Sequence, residues 1–228
     1  MTNLRVLVLG FMMVVGASPV AAQDLFRYRD YALGTTVASV VSVSGAREAD
    51  TKTVHARPVR IQTLEWRTPY VAPAGAVADP VRDVVFSFYD DQLYRIVVTY
   101  DRARMEGLTN DDVITSLATA YGAPTRPATG TSRGPVPADL AWDTTIVAQW
   151  ESPTSLIVLT RNTSLPLFQL VLTSKATSAL ARTAVTESIR LDAKEAPQRE
   201  LDRRKKETED AARAATNARE ANKGAFRP

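Results

Sequence analysis

The stretch Arg82 to Tyr100, read as RDVVFSFYDDQLYRIVVTY, constrains this chain more than any other. It holds two runs of alternating apolar and polar residues on either side of a short acidic segment, which is the pattern of a β-hairpin. A three-residue loop of Asp90, Asp91 and Gln92 sets Phe88 opposite Tyr94, Phe86 opposite Ile96 and Val84 opposite Val98, with all six large apolar side chains on one face. A two-residue loop in unbroken register sets Phe86 against Arg95 instead, because a slip of one residue turns a whole strand over. The pattern therefore selects the longer loop. Its left-handed position then falls on Gln92, a residue type seldom found there.

The hairpin needs other elements to cover its apolar face, and 228 residues with 45% hydrophobic and 23% charged side chains supply enough for one large domain or two small ones. The formal net charge of +3 belongs to the C-terminal tail. Residues 190–228 hold 11 Lys/Arg against 8 Asp/Glu, whereas the body from Gln23 to Ile189 carries 16 basic and 17 acidic side chains. A body so balanced offers no nucleic-acid surface.

At the N-terminus Arg5 precedes the apolar run Val6 to Val15, and Val20-Ala21-Ala22 offers the small residues of a signal-peptidase site. The expectation is a secretory signal over 1–22, cleaved after Ala22, and an exported protein, periplasmic or extracellular. The run is shorter than the ~20 residues that cross a bilayer, and the mature chain has no other candidate span. The sequence contains no cysteine, so it has neither a disulfide framework nor a lipidation site at the signal junction.

In chain order, Leu25 to Leu33 reads as a strand ending at Gly34, and Thr35 or Thr36 caps a short helix bearing Val37, Val40 and Val41. Gly45 to Pro58 is a polar connection, after which Val59 to Arg67 reads as a strand with a bulge near Gln62 and Thr63. Pro69 to Pro80 is a loop leading into the hairpin. A second helix starts at the cap Thr109, places Asp111 and Asp112 on its first turn, and aligns Val113, Ile114, Leu117, Ala118 and Tyr121 before Gly122 and Pro124 stop it. Beyond the loop Ala123 to Pro137, the stretch Leu140 to Trp150 alternates, with Leu140, Trp142, Ile146, Ala148 and Trp150 on one side. Ser155 to Thr160 and Leu167 to Thr173 complete the set, joined through the turn-like Arg161 to Ser164.

The order is thus helix and three strands, twice, and in each half the first strand ends near a tryptophan: Trp66 before Arg67 and Trp150 before Glu151. We read this as a tandem αβββ repeat, an α+β fold whose antiparallel sheet is packed by helices. The domain reading places the sheet domain at 23–175, with halves of about 23–104 and 105–175. A docking helix over 176–196 and a charged helical or disordered tail over 197–228 follow it.

The tandem αβββ order, the Gly34-Thr35-Thr36 helix start, the strand-borne Trp66 and Trp150 and the signal together resemble the β-lactamase-inhibitor-protein-like fold. Single-copy relatives of that fold include small lipoproteins of outer-membrane assembly. The resemblance covers about Leu25 to Thr173 and implies a binding module. The inhibitor proteins carry disulfides and the assembly lipoproteins a lipidated cysteine, and this chain has neither.

In the tail, Leu180, Ala184, Val185 and Ile189 are expected to dock on the sheet, and Pro197 ends or kinks that helix or opens a second. Further on, Glu200/Arg204, Asp202/Lys206 and Glu209/Arg213 sit four apart with the acid first, each worth about 0.2–0.5 kcal/mol to an isolated helix. Ala211, Ala214, Ala215 and Ala218 form the only apolar stripe there.

The single histidine, His55, and the absence of cysteine disfavour histidine-rich metal sites and cysteine chemistry, and no glycine-rich phosphate loop occurs. Asp90/Asp91 and Asp111/Asp112 read as turn and helix-start residues, and Asp143 and Glu151 as the solvent side of a strand. No catalytic residue, metal or cofactor is expected. The candidate binding residues are Tyr89, Trp66, Trp142 and Trp150 on the sheet and Arg203, Arg204, Lys205 and Lys206 on the tail. The leading reading is an exported non-enzymatic binding or scaffold protein with an envelope protein partner and no nucleic-acid partner. A carboxylate-dependent enzyme acting on an envelope polysaccharide, and a coiled-coil structural protein that self-associates through its C-terminal helix, are the alternatives.

Overall fold

A computed structural model describes residues 27–68, 79–127, 144–162 and 167–225. The expected signal segment, the loop 69–78, Leu140, Trp142 and Asp143 lie outside the described residues. Among the described residues ten strands and three α-helices are formed: β1 (Arg27–Tyr28), β2 (Tyr31–Ala32), α1 (Val37–Ser44), β3 (Lys52–His55), β4 (Ile61–Arg67), β5 (Val81–Tyr89), β6 (Gln92–Tyr100), α2 (Asn110–Tyr121), β7 (Arg126–Pro127), β8 (Thr144–Glu151), β9 (Ser155–Asn162), β10 (Phe168–Ser174) and α3 (Lys175–Ala225). β1 and β2 form a small hairpin, and the other eight strands make one antiparallel sheet in the order β3-β4-β5-β6-β10-β9-β8-β7.

That order is two meanders back to back. Each half is a helix followed by four strands, and the last strand of each, β6 and β10, pair antiparallel at the centre. The repeat unit is therefore one strand longer than the alternation in the sequence reveals. The additional strands are short edges: Lys52, Thr53 and Val54 of β3 are exposed, and β7 is two residues long, so neither has an apolar face to betray it.

Strand register carries the repeat down to single residues. On one face of the sheet the row Leu64, Phe86, Ile96, Leu172, Ile157, Trp150 crosses six strands, and beside it runs Trp66, Val84, Val98, Leu170, Leu159, Ala148. Exchanging β4 with β8, β5 with β9 and β6 with β10 maps one row onto the other and Trp66 onto Trp150. These rows, covered by Val37 and Val40 of α1, Val113 and Tyr121 of α2 and Tyr28 of β1, are the hydrophobic core.

The central hairpin keeps the expected pairs Val84/Val98 and Phe86/Ile96, but its loop has two residues. Asp90 and Asp91 adopt φ of 47° and 66°, the left-handed pair a tight hairpin turn requires and which Asp tolerates. Tyr89 then faces Gln92 and Phe88 faces Leu93, while the register shifts between Ser87 and Phe88 so that Tyr94 is the extra residue. A bulge absorbs the slip and puts Leu93 into the core in place of Tyr94.

Other expectations change as well. The strand expected over Leu25 to Leu33 folds on itself as β1 and β2, with Arg29 at φ 53° in the turn. The bulge expected near Gln62 sits on the partner strand, at Val54 between Thr53 and His55, while β4 pairs with β5 without a break. Ile61 and Leu64 are buried on opposite faces, which explains the phase shift. In β8 a register shift between Ile146 and Ala148 takes Ile146 off the core face that Ala148 and Trp150 share.

The opposite face of the sheet carries the row Val85, Val97, Val171, Val158 with Ser87 and Thr99 nearby. α3 lies against β10 and β6 there, and its buried residues are Ser178, Ala181, Ala184 and Ser188. The docking stripe is thus one of small side chains. Leu180 and Ile189, expected to dock, are 55% and 59% exposed because they flank that stripe on either side. Pro197 does not end the helix, which runs through it; the Arg199 side chain donates to the Asp192 carbonyl, two turns back, at 3.2 Å.

Candidate functional site

Trp150 is 1% exposed, and its indole Nε1 donates to the Gly122 carbonyl at 2.7 Å, where α2 ends. Its ring lies 6.1 Å from that of Tyr121. Trp66 is half-buried against the same core from the opposite end of the sheet. The expected aromatic binding face is therefore an internal one at Trp150, since α1, α2 and the β1–β2 hairpin occupy it. Tyr89 is half-buried on the α3 side of the sheet, opposite Ile61 and Gln92. The structure does not bring Tyr89 together with Trp66 or Trp150.

A polar cluster in the core was not visible in the sequence. Tyr28 from the N-terminal hairpin, Tyr100 from the end of the first half and Tyr121 from α2 of the second are all buried at the junction of the halves. The Tyr28 and Tyr100 hydroxyls share a hydrogen bond, and Tyr121 donates to the Arg27 carbonyl at 3.1 Å. Burial pushes the Tyr100 phenol up to about 12 and those of Tyr28 and Tyr121 higher still. They pin the hairpin to the seam between the halves.

Above them the Arg29 guanidinium grips Asp79 through two bonds of 2.6 and 2.8 Å and lies 5.3 Å from the Tyr28 ring centre. Arg29 holds the Asp79 carboxyl below its ordinary range, and Asp79 also accepts from the Val81 amide at 3.0 Å. This clamp holds Arg29 in its left-handed turn, a conformation that costs a side-chain-bearing residue about 1–2 kcal/mol.

Three of the other acids weighed for chemistry have structural partners. Asp91 accepts from the Val37 amide at 3.2 Å, adding a second cap to α1 beside Thr36. Asp112 closes a capping box with Thr109, and Glu151 pairs with Lys175 at the start of α3. His55 shares a 2.9 Å hydrogen bond with Ser188, and Arg57 next to it donates to Glu195 at 2.7 Å and to Asp192 at 3.3 Å. Together these fasten α3 to the sheet edge. Among the described residues no three His, Cys, Asp or Glu side chains gather as metal ligands.

The tail cations are on an open surface. Every residue from Leu201 to Ala225 is exposed. Arg203 pairs with Glu200 at 2.8 Å and Glu207 at 2.7 Å, Arg204 with Glu200 at 2.7 Å, and Lys205 with Glu209 at 3.9 Å; Lys206 is exposed. Arg204 and then Arg203 hold the Glu200 carboxyl below its ordinary range. These pairs join Arg203, Arg204 and Lys205 to acids on their own helix.

The fold and this surface define an α+β protein with a two-half antiparallel sheet and a long charged C-terminal helix. No known protein family, no curated protein and no solved structure matches the chain. No helix among the described residues is long and apolar enough to cross a membrane.

Proposed function

We propose that the protein is an exported, non-enzymatic binding or scaffold protein of the cell envelope, in which the sheet body engages an envelope protein and α3 serves as an arm. The observation that carries this reading is the contrast within the chain. Carboxylates, tyrosines and the histidine of the body hold elements together, whereas the helix from Leu201 onward buries nothing. A polar helix of about 1.5 Å rise per residue that stands free over more than 20 residues extends ~35 Å and has use only towards something outside its own body.

Export rests on the Arg5, Val6–Val15 and Ala22 pattern. The test is to express the full chain, fractionate the cells and retain envelope components on the tagged mature protein. The reading expects a processed N-terminus at Gln23, an envelope fraction and a saturable protein partner. A cytoplasmic, unprocessed product, or hydrolysis of envelope polysaccharide by the purified protein, overturns it.

A further inference from the structure

The exposed half of α3 carries a cationic block followed by an acidic one. Arg203 to Lys206 are four consecutive cations, and Glu207, Glu209 and Asp210 follow directly. An isologous pair of helices running in opposite directions brings each block against the other.

A heptad seam runs along this helix through Glu200, Arg204, Glu207, Ala211, Ala214 and Ala218, at alternating spacings of four and three. Lay a second copy antiparallel with its midpoint between Lys205 and Lys206. Arg204 then faces Glu207 of the other copy, Glu200 faces Ala211, Pro197 faces Ala214 and Ala193 faces Ala218. Beside the seam Arg203 meets Asp210, and Leu201, 60% exposed in the single chain, meets Thr208. No like charges meet along the seam or its flanks, and Lys205 and Lys206 fall on the outer side. Thr186, Arg190 and Ala193, which continue the seam backwards, are exposed, so the partner's arm can run along α3 without striking the sheet beneath.

We infer that the arm of α3 pairs with that of a second copy of this chain, antiparallel and centred between Lys205 and Lys206. Alanines let the helices approach closely, and the charge blocks set direction and register. The inference goes beyond the proposed envelope partner and stands or falls separately from it.

Two reversed chains test it. Arg203→Glu with Arg204→Glu turns every cross-pair repulsive, as does Glu207→Arg with Asp210→Arg, yet a mixture of the two restores all four contacts. By sedimentation equilibrium the native chain is expected to dimerise, each variant alone to lose roughly tenfold or more in self-affinity, and the equimolar mixture to recover a heterodimer. Circular dichroism checks that each variant keeps its helix. Since the chain has no cysteine, a single Thr216→Cys accepts one spin label per copy. The antiparallel pair puts the two labels about 30–35 Å apart, where a parallel pair in register puts them within about 20 Å. A monomeric native chain, a mixture that fails to associate while both helices persist, variants that dimerise as well as the native chain, or a single short label distance would each overturn the inference.

Discussion

Replacing Trp150 by Phe separates a structural tryptophan from a ligand anchor. The indole Nε1 is the donor to the Gly122 carbonyl at 2.7 Å, and the side chain is 1% exposed. Phenylalanine leaves that carbonyl without its donor, at about 1–3 kcal/mol, and leaves unfilled volume worth about 1 kcal/mol more. Trp150→Phe should therefore destabilise by about 2–4 kcal/mol, a large part of the ~5–15 kcal/mol that holds a domain together. Trp66→Phe, at the symmetry-related position but half-buried, should lose about 1 kcal/mol or less. Urea unfolding of the mature chain followed by far-ultraviolet circular dichroism reads both. The Trp150→Phe midpoint should fall with the slope against denaturant unchanged. An unchanged midpoint, or equal losses at the two tryptophans, would refute the assignment of Trp150 to the core.

Smaller changes test the remaining elements. Thr109→Ala opens the capping box of α2 and should lower stability by about 1 kcal/mol in the same unfolding assay. Ala184→Leu overfills the small-residue stripe of α3 against the sheet and should cost about 1–3 kcal/mol, with faster amide exchange along residues 178–188. The folded pKa of Asp79 is depressed, so its contribution is present above the ordinary carboxylate range and is lost as pH falls through the folded value. Asp79→Asn should remove under about 1 kcal/mol at neutral pH and flatten the acid limb of the stability curve. The raised phenols of Tyr28, Tyr100 and Tyr121 act the other way, with stability lost as pH rises from 10. Absorbance titration of the folded protein should leave these three tyrosines protonated at pH 11, and ionisation of all seven below that pH would contradict it.

What could be read in the sequence tracks where burial is one-sided. The helix caps Thr36 and Thr109 and the core partners Val84/Val98 and Phe86/Ile96 follow from local chemistry and from alternation, and all are present. Edge strands such as Lys52–His55 bury little, so their composition is that of a loop. Bulges at Tyr94, Val54 and Val147 shift the phase by one residue, and alternation alone cannot say on which strand the shift is taken. α3 docks through Ser178, Ala181, Ala184 and Ser188 because a helix over a row of valines gains by coming close, a choice that hydrophobicity along the helix hides. The tyrosine junction joins positions 28, 100 and 121, and no spacing in the chain announces it.

Retention of envelope proteins on the mature chain, Gln23 to Pro228, beside a chain stopped after Ala196, tests the account most directly. It predicts that both retain the same partner, through the body, and that the shorter chain retains it more weakly because it has lost the arm that pairs two copies. No enriched envelope protein on either chain, or a partner lost altogether on truncation while the shorter chain stays folded, would contradict it.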